Sequence, residues 1–192
     1  RDNAAALRRA MQTANTAVVI GGGYIGLEAA ASFRKAGLTV HVVEAAARGV
    51  ARVASPDMSA FFQQLHQRHG VIIHTGMTET NFHRKVVLVT GRTLDTGEQI
   101  VAELLVVGIG VVPESVLADA IGAETGNGIL VDRQMRTTIE DVYAIGDVAL
   151  VEGAVLRVES VHNAQDTAAR AAADIAKTPL PGISIPWFWS EQ

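Results

Sequence analysis

The chain has 192 residues, 48% of them hydrophobic, and a formal net charge of -4, enough apolar matter for one large domain or two small ones with a real core. This acidic balance excludes the clustered Lys and Arg of a nucleic-acid footprint, and no apolar run reaches the roughly 18 residues that a membrane helix needs. Cysteine is absent, which excludes a disulfide framework, a thiol redox pair and iron–sulfur ligation by this chain.

The first stretch, R-D-N-A-A-A-L-R-R-A-M, has no apolar signal core, so no targeting is expected and the cytoplasm is the expected compartment. Residues 2–14 read as a helix with Leu7 and Met11 four apart on one face. T-A-V-V-I at 16–20 is a short buried strand, and residues 24–36 form a helix stopped by Gly37. L-T-V-H-V-V-E at 38–44 is the next strand. The whole β-loop-α-β unit takes about 30 residues, the length of a right-handed parallel crossover. Ser55-Pro56-Asp57 opens a helix through His69, with Pro near the first helical position. V-I-I-H at 71–74 is a third parallel strand.

From 77 to 107 the texture changes to short runs, K-V-V-L-V, E-Q-I-V and E-L-L-V-V, separated by T-G-R and D-T-G. Such alternation predicts a small antiparallel meander that ends in a buried strand over 103–107. After Pro113 the pattern shifts again: strands are predicted at 127–132 and 141–145, and an Ala-rich helix at 162–177. P-L-P-G at 179–182 is a break. A domain boundary is placed near 112, giving domains 1–112 and 113–192. The chain contains no internal repeat and no low-complexity segment.

Gly21, Gly23 and Gly26 fit G-x-G-x-x-G between a predicted strand and a predicted helix. The first glycine permits the tight turn, the second lets backbone approach a pyrophosphate, and the third allows close helix–strand packing. Glu44 follows 18 residues after Gly26, at the end of the second strand. A carboxylate there accepts hydrogen bonds from ribose hydroxyls and repels a 2′-phosphate, which favours NADH over NADPH. Arg48 and Arg52 lie near enough in sequence to reach such a phosphate. Two positions keep a plain reading. Glu28 sits early in the helix, where acids gain a few tenths of a kcal/mol from the dipole, and Tyr24 can simply pack at the sheet end.

The stretch T-T-I-E-D-V-Y-A-I-G-D-V-A at 137–149 runs a predicted strand into Gly146-Asp147. An Asp at such a strand end can hold a ribitol hydroxyl while the glycine lets the backbone come close. His66 and His69 share a helix face at i, i+3, but Cys and carboxylate co-ligands are missing, so no metal site is expected.

Taken in order, G-G-G-Y-I-G-L-E, G-I-G-V-V-P, V-Y-A-I-G-D-V-A, R-V-E-S-V-H-N-A and P-W-F-W-S-E-Q resemble the FAD-dependent, NADH-linked ferredoxin reductases of bacterial oxygenase systems. These belong to the pyridine nucleotide–disulfide oxidoreductase superfamily. The resemblance covers essentially the whole chain, and its last motif points to the ferredoxin/rubredoxin reductase branch. It implies an α/β architecture: a Rossmann-like NAD-binding domain, with a parallel sheet and a small antiparallel meander, followed by part of an FAD-binding domain. It also implies a fragment, since the family carries a second Gly-rich loop in an N-terminal FAD half and a separate C-terminal domain.

Carried over residue by residue, the resemblance assigns NAD(H) to Gly21, Gly22, Gly23, Tyr24, Ile25, Gly26, Glu44, Arg52, Gly108, Ile109 and Gly110. Glu28 resembles the acid that approaches the nicotinamide carboxamide, and Tyr24 the aromatic that covers the flavin on its nicotinamide side. Gly146, Asp147 and Val148 fall at the FAD ribitol, and Glu159, Ser160 and Val161 near the flavin ring and the nicotinamide. Trp189 falls beside the flavin, near the iron–sulfur partner, whereas Trp187 is read as packing. The implied reaction is hydride transfer from NADH to FAD, then single electrons to a 2Fe–2S ferredoxin or a rubredoxin. No side chain need act as nucleophile or general acid, and neither nucleic acid nor membrane is expected as a partner. Two alternatives stand beside it: a truncated, non-catalytic NAD-binding module, and a disulfide or peroxide reductase of the same superfamily.

Overall fold

The computed structural model describes residues 2–51, 53–77, 79–85, 88–94, 99–100, 102–182, 184–185 and 187–192. The chain is a mixed α/β protein of two compact units, one running up to Gly110 and including Ser190–Gln192, the other Val111–Trp189. The first unit contains α1 (Asp2–Ala10), β1 (Thr16–Ile20), α2 (Tyr24–Lys35), β2 (Thr39–Glu44) and α3 (Pro56–Arg68). It continues with β3 (Val71–Thr75), β4 (Glu79–Lys85), β5 (Leu88–Leu94), β6 (Gln99–Ile100) and β7 (Leu104–Val107).

Four strands make a parallel sheet in the order β3-β2-β1-β7. After Thr16, central β1 is apolar and buried because both of its faces are covered. Ala17 and Val19 pack with Leu27, Ala30 and Phe33 of α2, while Val18 and Ile20 pack on the other face with Val43, Ile100 and Ala102. Burying one such Val contributes about 1.5–3 kcal/mol relative to leaving it exposed. Strand order reverses beside β1, so the carboxyl ends of β1 and β7 open the crevice where this architecture receives nucleotides.

Helix α2 buries Leu27, Ala30 and Phe33 at helical spacing. It ends in a Schellman arrangement: Gly37, at φ +90°, donates to Arg34, and the Leu38 N–H reaches back to Phe33. In α3 the Ser55 hydroxyl caps the Met58 N–H and Pro56 takes the first helical position. The meander is antiparallel, in the order β4-β5-β6. Parts of its predicted runs, residues 86–87, 95–98 and 101, lie outside the described residues.

α1 is shorter than the predicted 2–14. Gln12 and Thr13 tighten to i−3 bonds, and the Glu103 carboxylate takes the Asn15 N–H at 2.5 Å.

The second unit contains α4 (Val116–Ala120), β8 (Thr125–Gly126), β9 (Gly128–Val131), a 3-10 turn (Gly146–Val148), β10 (Ala149–Val151) and α5 (Val161–Ile175). Its sheet runs β10-β9-β8, with β10 parallel to β9, over a core of Val131, Met135, Ala144, Ala149 and Ala171. The strand expected at 141–145 does not form. Asp141 sits at φ +58°, and the backbone bonds of Val142 and Ala144 go to Ile139 and Met135. The turn lies at 139–142, and beyond it Tyr143 makes a single antiparallel bridge to Arg136, so the extended segment pairs too briefly to count as a strand. The short elements α4 and β10 were not predicted.

Candidate functional site

The glycine loop closes on itself through backbone contacts. Gly21 sits at φ +98°, and a Cβ there would overlap the carbonyl of Gly108 at the end of β7. A Cβ on Gly26 would overlap the carbonyl of Gly21, and one on Gly22 would press on the Glu44 side chain. Gly23 differs, because a Cβ there would meet nothing within 4 Å. It is the N-cap of α2, has no side-chain cap, and stands at φ −77° and ψ 178°. The first N–H groups of such a helix lack intrahelical partners and favour an anion. Ile25 and Ile109 are exposed beside the loop, and Gly110 takes a φ of +131°.

Glu44 ends β2 with both carboxylate oxygens engaged. One accepts from the Gly22 N–H at 2.6 Å and the other from the Ala46 N–H at 2.7 Å. Each oxygen keeps lone-pair capacity for a further donor such as a ribose hydroxyl. The guanidinium of Arg48 is committed elsewhere, to the carbonyls of Ala51 and Ala54 and the hydroxyl of Ser59. Arg52 lies outside the described residues.

Tyr24 opens α2 and meets Phe62 of α3 edge to face at 5.9 Å, and burial raises its phenol pKa above the ordinary value. Glu28 lies beyond the first turn of α2, so the helix dipole does little for it. Its Oε1 accepts a hydrogen bond from the Ser190 hydroxyl at 2.5 Å. Gln192 donates through its amide nitrogen to the Ser190 oxygen, and its Oε1 faces Nε2 of His66 at 2.7 Å. His66 is 3% exposed; burial lowers its pKa, and the bond to Gln192 partly offsets that. His69 instead turns Nδ1 toward the Leu65 carbonyl at 2.9 Å. Among the described residues no group of three or more His, Asp or Glu is placed to hold a metal.

In the second unit Gly146, at φ +70°, donates its N–H to the Thr167 hydroxyl of α5 at 2.9 Å. Asp147 follows with an exposed side chain, and its carbonyl accepts from Arg157. Arg157, whose side chain is 5% exposed, also pairs with Glu159 at 2.9 Å. Thus the turn holding Asp147 and Val148 is tied to the segment leading to Ser160. The Ser160 hydroxyl caps α5 by accepting from the Asn163 N–H at 3.1 Å, and Val161 is exposed beside it. Trp189 is 59% exposed, and Trp187, read from the sequence as packing, is 56% exposed. The Trp187 ring contacts His162 at 5.5 Å and Trp189 at 5.7 Å.

Arg157, Ser190 and Gln192 went unassigned as functional residues. All three stood inside quoted motifs, Arg157 at the head of R-V-E-S-V-H-N-A and Ser190 and Gln192 in P-W-F-W-S-E-Q, and the contacts that give them a part are long-range or made by backbone.

Residues 2–168 match the pyridine nucleotide-disulphide oxidoreductase family. The chain belongs to that family. Among its relatives is the ferredoxin reductase subunit of 5,5'-dehydrodivanillate O-demethylase from Sphingobium sp. strain SYK-6, 45% identical over 91% of this chain and 44% of that protein. The crystal structure of the ferredoxin reductase for the CYP199A2 system of Rhodopseudomonas palustris superposes with a TM-score of 0.91 at 42% identity, covering all of this chain and 48% of that one. Putidaredoxin reductase, from its covalent complex with putidaredoxin, gives a TM-score of 0.92 at 38% identity over 100% of this chain and 47% of that one. The chain therefore spans about half the length of the curated relatives it matches. No helix among the described residues is long and apolar enough to cross a membrane.

Proposed function

We propose that residues 1–112 are the NAD(H)-binding domain, and residues 113–192 a segment of the FAD-binding domain, of an NADH-dependent flavoprotein reductase. The whole protein takes a hydride from NADH onto FAD and passes single electrons to a 2Fe–2S ferredoxin or a rubredoxin in the cytoplasm. The names of the relatives, ferredoxin and rubredoxin reductases at 36–45% identity, support this acceptor class.

One observation carries the nucleotide half of the reading. Gly21 and Gly26 are needed by the fold, but Gly23 is open, at the uncapped start of a helix, with Glu44 beside the loop. A pyrophosphate fits that opening, with the helix N–H groups as donors and the Glu44 carboxylate as ribose acceptor. The engaged guanidinium of Arg48 favours NADH over NADPH. Glu28 orients the nicotinamide carboxamide. For FAD, the exposed Asp147 at a turn held by Arg157 and Thr167 suits a ribitol hydroxyl. When bound, the flavin supplies the step from a two-electron donor to a one-electron acceptor; the protein's share is binding and alignment.

A pair of substitutions tests the loop. Gly23→Ala keeps an allowed backbone and open space, so the melting temperature stays within the equivalent of about 0.5 kcal/mol of wild type. NADH affinity by titration calorimetry falls at least about tenfold, because the methyl occupies the pyrophosphate position. Gly26→Ala overlaps the Gly21 carbonyl and destabilises the fold itself by roughly 1–3 kcal/mol. Normal NADH binding by Gly23→Ala overturns the reading.

A further inference from the structure

The segment Ser190–Gln192 belongs to the first unit, although it lies 162 residues from Glu28 in sequence. Its hydrogen bonds have one consistent direction. The buried imidazole of His66 donates through Nε2–H to Gln192 Oε1; the Gln192 amide donates to Ser190 Oγ; the Ser190 O–H donates to Glu28 Oε1. The hydroxyl has a single proton, and Gln192 occupies the oxygen as an acceptor, so that proton is directed at the carboxylate. Ser190 thereby takes Oε1, fixes the plane of the carboxyl group and leaves Oε2 as an acceptor. A half-buried carboxylate on a flexible side chain, without such a contact, samples several rotamers and pays entropy to settle in one.

We propose that Ser190 is a positioning residue for Glu28: it holds the carboxylate in the orientation that receives the nicotinamide carboxamide, and Gln192, anchored on His66, holds Ser190. This inference rests on the reading of Glu28 as the nicotinamide acceptor. It assigns a role to Ser190 and Gln192, two of the residues of P-W-F-W-S-E-Q that the electron-transfer reading of Trp189 leaves unused. Thus the motif serves the nicotinamide end of the first unit as well as the aromatic surface of the second.

The test compares two ligands on the full chain, NAD+ and ADP-ribose, which share the adenosine and pyrophosphate but differ in the nicotinamide. Affinities are measured by titration calorimetry for wild type, Glu28→Gln, Ser190→Ala, Gln192→Ala and the double variant Glu28→Gln/Ser190→Ala. Ser190→Ala is expected to weaken NAD+ by about threefold to tenfold, the range for one lost hydrogen bond to a charged or polar group. ADP-ribose affinity stays within twofold. Gln192→Ala moves NAD+ in the same direction by about twofold, and the double variant is no weaker than Glu28→Gln alone, since both changes remove one device. If Glu28→Gln selectively weakens NAD+ and Ser190→Ala does not, the inference falls and the Glu28 reading stands. If Glu28→Gln leaves the NAD+ to ADP-ribose ratio unchanged, the Glu28 reading itself falls. Equal weakening of both ligands by Ser190→Ala and Gln192→Ala makes the segment a structural strap and overturns the inference.

Discussion

Glu44 illustrates how much one side chain decides. Its carboxylate bridges the N–H groups of Gly22 and Ala46, so it shapes the glycine loop before any ribose arrives. Glu44→Arg removes both anchors and replaces a group that repels a 2′-phosphate with one that attracts it. NADH affinity is expected to drop about tenfold to a hundredfold, the value of a charge-assisted hydrogen bond of about 1.5–3 kcal/mol, and preference to move toward NADPH. Titration calorimetry with both nucleotides reads this, and an unchanged NADH affinity would show that Glu44 does not touch the ribose. Arg48 in the wild type is expected to give NADPH no help, because its guanidinium already bonds the carbonyls of Ala51 and Ala54 and the Ser59 hydroxyl.

Among the elements, α5 shows a helix held by its ends. Ser160 caps its start, and Asp174 in its last turn accepts from Nε and Nη2 of Arg136 and from the Tyr143 hydroxyl at 2.6 Å. A carboxylate near a helix C-terminus opposes the dipole; here the guanidinium reverses the balance. The Arg136 bonds, then the Tyr143 bond, pull the Asp174 pKa from 3.8 down to about 2. Since the folded value lies below the unfolded one, the unfolded chain binds the proton first. The contribution is complete above about 4 and is lost as pH falls through about 2. The expected outcome is that Asp174→Asn lowers the melting temperature at neutral pH and flattens its decline on the acid side. Thermal melts followed by circular dichroism between pH 2 and pH 7 check this. Parallel acid-side slopes in wild type and variant would mean that the clamp does not titrate with folding.

For the whole molecule, the second unit exposes large apolar side chains, among them Val112, Leu117, Val155 and Ile185, each more than four-fifths accessible. Apolar surface of that kind suits a unit that packs against further protein, in keeping with a chain that spans about half of its relatives. The 192-residue chain carries one G-x-G-x-x-G loop. It is therefore expected to bind NADH while holding FAD poorly, because the second pyrophosphate cradle of the family is not among its residues. Visible absorbance of the purified chain reads this directly, and stoichiometric flavin surviving purification contradicts it.

Local pattern was enough to reveal much of this protein. Buried strand β1, helix α2 with its glycine stop, the capped start of α3 and the parallel β1–β2 crossover are written in short-range periodicity and capping residues, where each signal and its consequence lie within a turn or two. The shape of the glycine loop and the place of Glu44 beside it were legible for the same reason, since both belong to one βαβ unit and are local in sequence. Only tertiary structure decided the rest. Val142–Ile145 carries a strand's residues but joins no sheet, since its only pairing is one antiparallel bridge with Arg136 across the turn at 139–142. The guanidinium of Arg48 folds inward, Asp174 meets Arg136 across 38 residues, and Ser190 meets Glu28 across 162. Such pairings depend on where chain closure brings distant segments, and no residue's own type or spacing encodes that position.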